Sequence, residues 1–147
     1  VLSYVDLFHC NLDEGKDLTG LESSREITEY LLDQGVRGVI VSDGKNGLIA
    51  GCNGYLIEMP SYSVSQLDST GAGDALCAGV IDFIHTLKNS REVLNHTHLV
   101  EALLRGQATG AACVTGIGAT TNVTKEKIAE ILLSKDVVLE NTKMMKI

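Results

Sequence analysis

The sequence predicts an α/β fold on a mostly parallel sheet, and three observations carry that prediction. Short apolar runs rich in β-branched residues alternate with stretches patterned at helical spacing, the order that lays helices across a sheet. Fifteen glycines and a 4% aromatic content without tryptophan suit close packing of helices on strands. The third observation is Asp68-Ser69-Thr70-Gly71-Ala72-Gly73-Asp74, which runs directly into Ala75-Leu76-Cys77-Ala78-Gly79-Val80-Ile81. This is a glycine turn opening a buried helix. Such a turn lets N–H groups approach an anion with no side chain in between, and the helix adds about half a positive charge at that end.

Taken in order, residues 1–8 read as a buried strand ending at the polar stretch His9-Cys10-Asn11-Leu12-Asp13-Glu14. Ser23-Ser24-Arg25-Glu26 fits a capping box, with Ile27, Tyr30 and Leu31 following at helical spacing and Gly35 closing the helix. Residues 36–42 read as a second buried strand, and Asp43-Gly44-Lys45-Asn46-Gly47 as a glycine turn. Two apolar runs flank a turn over residues 51–54 that contains Asn53-Gly54, a hairpin signal. Pro60 and the polar residues to Gln66 form a loop. A helix from Gly73 to about Leu87 is apolar nearly all round at first and so should be central. Asn89-Ser90 begins a connector with a short helix around Glu92, after which Thr97 caps a longer helix carrying Leu99, Leu103, Ala108 and Ala112. Thr115-Gly116-Ile117-Gly118-Ala119 is another glycine loop. Thr124 caps a last amphipathic helix, and Val137-Val138-Leu139 is expected as an edge strand. With no internal repeat and no linker, the chain reads as one domain.

A net charge of −7 and a pI near 5.0 argue against a nucleic-acid or anionic-membrane surface. An anionic substrate must then be held by backbone amides or a metal ion. Cys10, Cys52, Cys77 and Cys113 form no C-x-x-C pair, which points to reduced thiols and a cytoplasmic location rather than zinc or a redox motif. No leader and no run of transmembrane length is read. The chain opens without methionine in what reads as a strand, as a fragment would. His9 precedes the Asn11–Glu14 stretch, and His96 and His98 start a helix without acidic or cysteine partners at ligand spacing, so surface or cap roles are expected of all three.

The turn at Asp68–Asp74 is neither a Walker A loop, since no G-x-x-x-x-G-K-[ST] occurs, nor a dinucleotide fingerprint, since Leu76 stands where the third glycine would be. It resembles the C-terminal signature of the ribokinase-like carbohydrate kinases, the phosphofructokinase B family, with Leu76 replacing a common aromatic. That resemblance implies the C-terminal half of a three-layer α/β/α, Rossmann-like fold: residues 1–147 as a nucleotide-binding and catalytic part, without the sugar-binding half and its lid. It implies an ATP-dependent kinase acting on a sugar hydroxyl with Mg²⁺, with no nucleic-acid or membrane partner, and extends to a homodimer.

By the same resemblance Asp74 is the catalytic base, and Gly71, Ala72 and Gly73 form the anion hole. Asp68 and Thr70 match positions that hold a monovalent cation such as K⁺ in some members. Asn11-Leu12-Asp13-Glu14 resembles the family's N-x-x-E, in which Asn11 and Glu14 organise the waters of a hydrated Mg²⁺. Ser42-Asp43-Gly44-Lys45-Asn46-Gly47 is similar to a strand-end T-x-G-x-x-G, bringing Ser42, Gly44 and Gly47 to the nucleotide phosphates. Gly106-Gln107-Ala108 through Ala111, with Gly118, resembles the small-residue wall of an adenine pocket, although small residues also suit plain helix packing. A nucleoside or vitamin acceptor, and a non-catalytic nucleotide-binding module, stay open as alternatives.

Overall fold

The computed structural model describes residues 1–87 and 95–147, so the connector at Asn89-Ser90 and the short helix around Glu92 lie outside the described residues. The first strand begins later than the apolar run suggests. Leu2–Tyr4 forms a single 3-10 turn, and β1 covers Phe8–Asn11. Leu2 and Val5, three apart, both pack inward while Val1 and Tyr4 face solvent, which is helical rather than strand periodicity.

Helices α1 (Leu12–Thr19) and α2 (Ser24–Asp33) carry the chain across to β2 (Gly38–Ser42). The capping box at α2 forms as expected: Ser23 Oγ accepts from the Glu26 amide at 3.2 Å, and the Glu26 carboxylate accepts from the Ser23 amide at 3.2 Å. Strands β3 (Leu48–Cys52) and β4 (Tyr55–Met59) form the hairpin, with Asn53 at φ 48° and Gly54 at φ 77°. Two consecutive positive φ angles mark the turn whose twist matches that of the strands.

The sheet has the order β1-β2-β3-β4-β5, where β5 is Lys143–Lys146. Only β1 and β2 pair in parallel; the other three neighbours are antiparallel. The expectation of a mostly parallel sheet is therefore corrected to a mixed one. Connection length decides the matter. Two helices separate β1 from β2, enough for a crossover, whereas a five-residue turn and a two-residue turn leave β2, β3 and β4 no choice but to reverse.

Each face of the sheet is covered, which gives the three-layer α/β/α arrangement. Val39 and Val41 of β2 pack under α1 and α2 with Ile27 and Leu31. Ile40, Ala50, Cys52, Ile57 and Met59 face the other layer, formed by α3 (Ala72–Thr86), α4 (His96–Val114), α5 (Lys125–Leu132) and α6 (Lys135–Glu140). Gly51 lies within β3 rather than in the turn, paired with Val39 and Leu56; α2 packs so close that a Cβ there would stand 2.6 Å from Leu32 Cδ1.

Two further expectations are corrected. The cap of α4 is Asn95, whose Oδ1 accepts from the amides of Thr97 at 2.8 Å and His98 at 3.2 Å. Residues 137–139 belong to α6, and the edge strand comes after it. Val137 is exposed, whereas Val138 is buried and Leu139 packs against the same core, which seats this short helix.

Helices α3 and α4 meet along glycines. A Cβ at Gly79 would touch Thr109 Oγ1 and stand 2.9 Å from the Arg105 carbonyl; one at Gly106 would stand 2.6 Å from Val80 Cγ2. Gly79→Ala is accordingly expected to destabilise the fold by about 1–3 kcal/mol through overpacking. Urea denaturation would show the midpoint falling at constant slope.

Candidate active site

Parallel strands β1 and β2 end side by side, with Asn11 opposite Ser42. The space beyond the carboxyl ends of parallel strands is where α/β sheets hold ligands. Here that space is a cleft of about 1140 Å³. The turn after β2 and the first turn of α3 both line it.

Gly71, Ala72, Gly73 and Asp74 all face the cleft. Gly71 adopts φ 79° and sits as the N-cap of α3 without a side-chain cap. A helix start leaves N–H groups without intrahelical acceptors. The Ala72 amide is turned back to the Ser69 carbonyl at 3.2 Å. Among the described residues no backbone carbonyl meets the amides of Gly73 and Asp74, so these donors point to a ligand site more directly than Ala72. The Asp74 carboxylate is exposed and takes no hydrogen bond among the described residues.

Asp68, Thr70 and Gly118 do not line the cleft; they brace the loop from behind. The Asp68 carboxylate accepts from the Thr70 amide at 2.9 Å and from the Gly118 amide at 3.0 Å. Hydrogen bonds from Thr70, then from Gly118, hold its carboxyl below the usual carboxylate range. Cys113 Sγ lies 3.1 Å from the Ala119 carbonyl oxygen and 3.4 Å from that of Thr70. Removing the carboxylate in Asp68→Ala is expected to speed amide hydrogen exchange at Thr70 and Gly118 while α2 and β2 keep their protection. Unchanged exchange at both amides would contradict the bracing role.

Asn11 and Glu14 reach the cleft as a reciprocal cap on α1. Asn11 Oδ1 accepts from the Glu14 amide at 2.8 Å, and Glu14 Oε2 accepts from the Asn11 amide at 2.9 Å. Ser42, Gly44 and Gly47 line the same space. Gly47 has φ 96°, and a Cβ there would run into the Met59 carbonyl, so the close approach of two backbones accounts for that glycine. Gln107 and Ala111 line the cleft, although Gln107 Nε2 donates to the Pro60 carbonyl at 3.0 Å. Gly106 instead faces α3, and Gly110 does both, meeting the start of α3 at the edge of the cleft. The small-residue stripe is thus divided: one side packs helices and the other walls the cleft.

Among the described residues lining the cleft, Lys45 is the single lysine or arginine, against Asp13, Glu14, Asp43 and Asp74. An anion entering here must rely on amide donors or a bound cation. No three His, Cys, Asp or Glu side chains among the described residues are grouped to hold a metal.

His9 is the residue that sequence reasoning missed. It is half-buried in the cleft wall, with Nε2 3.0 Å from Ser42 Oγ and Nδ1 3.2 Å from Cys77 Sγ. Burial lowers its pKa from the ordinary imidazole value, against the opposing pull of Glu14 and Asp74. The available signal was strand alternation, since His9 and Asn11 share a face of β1.

The pattern of the pfkB family carbohydrate kinases matches residues 1–126. Fructokinase-2 of Oryza sativa subsp. japonica is 33% identical over 101 residues, covering 69% of this chain and 30% of that protein. A crystal structure of aminoimidazole riboside kinase from Salmonella enterica, with aminoimidazole riboside and an ATP analogue, superposes with a TM-score of 0.79 at 26% identity. It covers 89% of this chain and 43% of its own. An Escherichia coli structure in complex with ATP and Mg²⁺ gives a TM-score of 0.70 at 25% identity, covering 92% of this chain and 41% of its own. The chain therefore spans less than half the length of the proteins it matches.

Proposed function

Because the chain belongs to the pfkB family of carbohydrate kinases, we propose that it is the nucleotide-binding and catalytic part of an ATP-dependent kinase acting on a hydroxyl of a sugar or sugar derivative. The observation that carries this reading is the first turn of α3, which offers the cleft a carboxylate and unpaired amides within two residues of each other. Asp74 takes the proton of the acceptor hydroxyl as its oxygen attacks the γ-phosphorus, and the bond to the β,γ-bridging oxygen breaks to release ADP. Phosphoryl transfer asks the protein for positioning and charge stabilisation more than for covalent chemistry. The amides of Gly73 and Asp74, joined by those of Gly71 and Ala72 as the loop adapts, receive charge on the transferred group. Ser42 and Gly44 meet the nucleotide phosphates, and Lys45 adds the one fixed positive charge. Gln107 and Ala111 lie towards the base, whereas Gly118, held on Asp68 behind the loop, contributes only indirectly.

Asn11 and Glu14 each accept one hydrogen bond in their reciprocal cap, line the cleft and retain further acceptor capacity. A hard ion that retains its waters and binds through one or two carboxylates fits this set. When bound, Mg²⁺ would supply charge neutralisation on the phosphates. A potassium-type ion beside Asp68 and the Thr70 carbonyl has less support, since the Asp68 carboxylate already accepts two amides. Among the described residues no helix is long and apolar enough to cross a membrane. The four free cysteines suit a reducing compartment, and a cytoplasmic location is part of the proposal.

The relatives named above act on fructose and on a riboside, which supports a sugar acceptor over a vitamin. ADP release by the whole protein, measured across a panel of ketoses, aldoses and ribosides, tests the reading. ADP formation that depends on one acceptor class is expected. Nucleotide binding without turnover on any acceptor would favour a binding module instead.

A further inference from the structure

We propose that His9 is a positioning residue that presets the Ser42 hydroxyl as a hydrogen-bond donor into the cleft. This rests on the nucleotide reading of Ser42 given above. The geometry is a relay across three elements: Cys77 on α3, His9 on β1 and Ser42 at the end of β2, joined by contacts of 3.2 and 3.0 Å. The ring also stands behind the anion loop, since a Cβ at Gly73 would lie 3.5 Å from His9 Cε1.

A neutral imidazole donates from one nitrogen and accepts at the other. A serine hydroxyl has one proton. If Ser42 gave it to His9, none would remain for a phosphate, in a cleft with a single fixed cation. If His9 Nε2–H donates to Ser42 Oγ instead, the serine proton is free to point into the cleft. That tautomer leaves Nδ1 as an acceptor, and the Cys77 thiol stands 3.2 Å away to donate to it. Its burial, reinforced by Asp74 and Glu14, keeps it in the protonated form that can donate. The relay thus runs from the thiol through the ring to the serine and on to the anion, and it ties the start of α3 to the strand end that meets the nucleotide.

Calorimetric titration with MgATP tests this in variants that separate the two ring nitrogens. Ser42→Ala should weaken MgATP roughly 10-fold, the scale of a lost hydrogen bond to a charged group. His9→Phe keeps the ring and should lose as much, but should cost nothing further in the Ser42→Ala background. Because a glutamine amide nitrogen reaches the Nε2 position, His9→Gln should restore most of the affinity. His9→Asn reaches only the Nδ1 side and should not. In wild type, the imidazole ¹⁵N shifts should report the Nε2–H tautomer, a reading that needs no ligand and no variant. An Nδ1–H tautomer, equal affinities for His9→Gln and His9→Asn, or additive losses in the double variant would overturn the inference. Failure of wild type to bind MgATP would overturn the nucleotide reading itself, and this inference with it.

Discussion

Asp74→Asn is expected to lower kcat roughly 10²–10⁴-fold, the range that a positioned general base contributes, while MgATP affinity and thermal stability stay near wild type. The separation follows from the site's geometry. The Asp74 carboxylate is exposed and holds no hydrogen bond among the described residues, so its loss breaks nothing in the fold. Asparagine matches the carboxylate in shape and keeps the Asp74 amide in the first turn of α3, so donors to the phosphate survive. Single-turnover kinetics would locate the defect in the chemical step. A variant with normal kcat, or one that melts early, would remove Asp74 from the mechanism.

Gly71→Ala should be the most disruptive change in the loop. At φ 79° an alanine is strained by about 1–2 kcal/mol. Its Cβ would also stand 2.6 Å from Ala119 Cβ and 3.1 Å from Ala119 Cα. The loop over residues 68–71 cannot retreat freely, because Asp68 ties it to Gly118 and Leu67 donates to the Val114 carbonyl at 2.7 Å. A loss of about 2–4 kcal/mol is expected, strain and overpacking together, with MgATP affinity falling alongside. Gly44→Ala is the matched control. It has φ 49° with nothing within 4 Å of the added Cβ, so strain acts alone and the loss should be about half as large or less. Equal losses at the two glycines would contradict the contact with Ala119.

Local chemistry made much of this fold legible before any coordinates. Ser23 and Glu26 cap a helix because their side chains satisfy nearby amides, and Asn53-Gly54 turns a hairpin because those residues tolerate positive φ. The glycine turn before α3 could be read the same way, since one short segment carries both the loop geometry and the apolar helix. What escaped were relations between distant segments. His9 looks unremarkable until residues 9, 42 and 77 are brought together. That Asp68 also ties the loop to Gly118, 50 residues on, cannot be read from its own segment. Gly106 and Gly110 could not be assigned to a pocket or a packing seam without knowing which face of α4 meets α3. Alternating strands and helices suggest a parallel sheet, yet the short turns on either side of β3 reverse the chain and make it mixed.

The start of α3 and the end of β2 are proposed to form one phosphate site together. An amide chemical-shift titration of this chain with MgATP tests it most directly. The largest shifts should fall on Gly73, Asp74, Ser42 and Gly44, with smaller ones at Gln107 and Ala111. Shifts clustered instead in a separate hollow lined by Ser63, Ser65 and Lys127, or no saturable shifts at all, would contradict it.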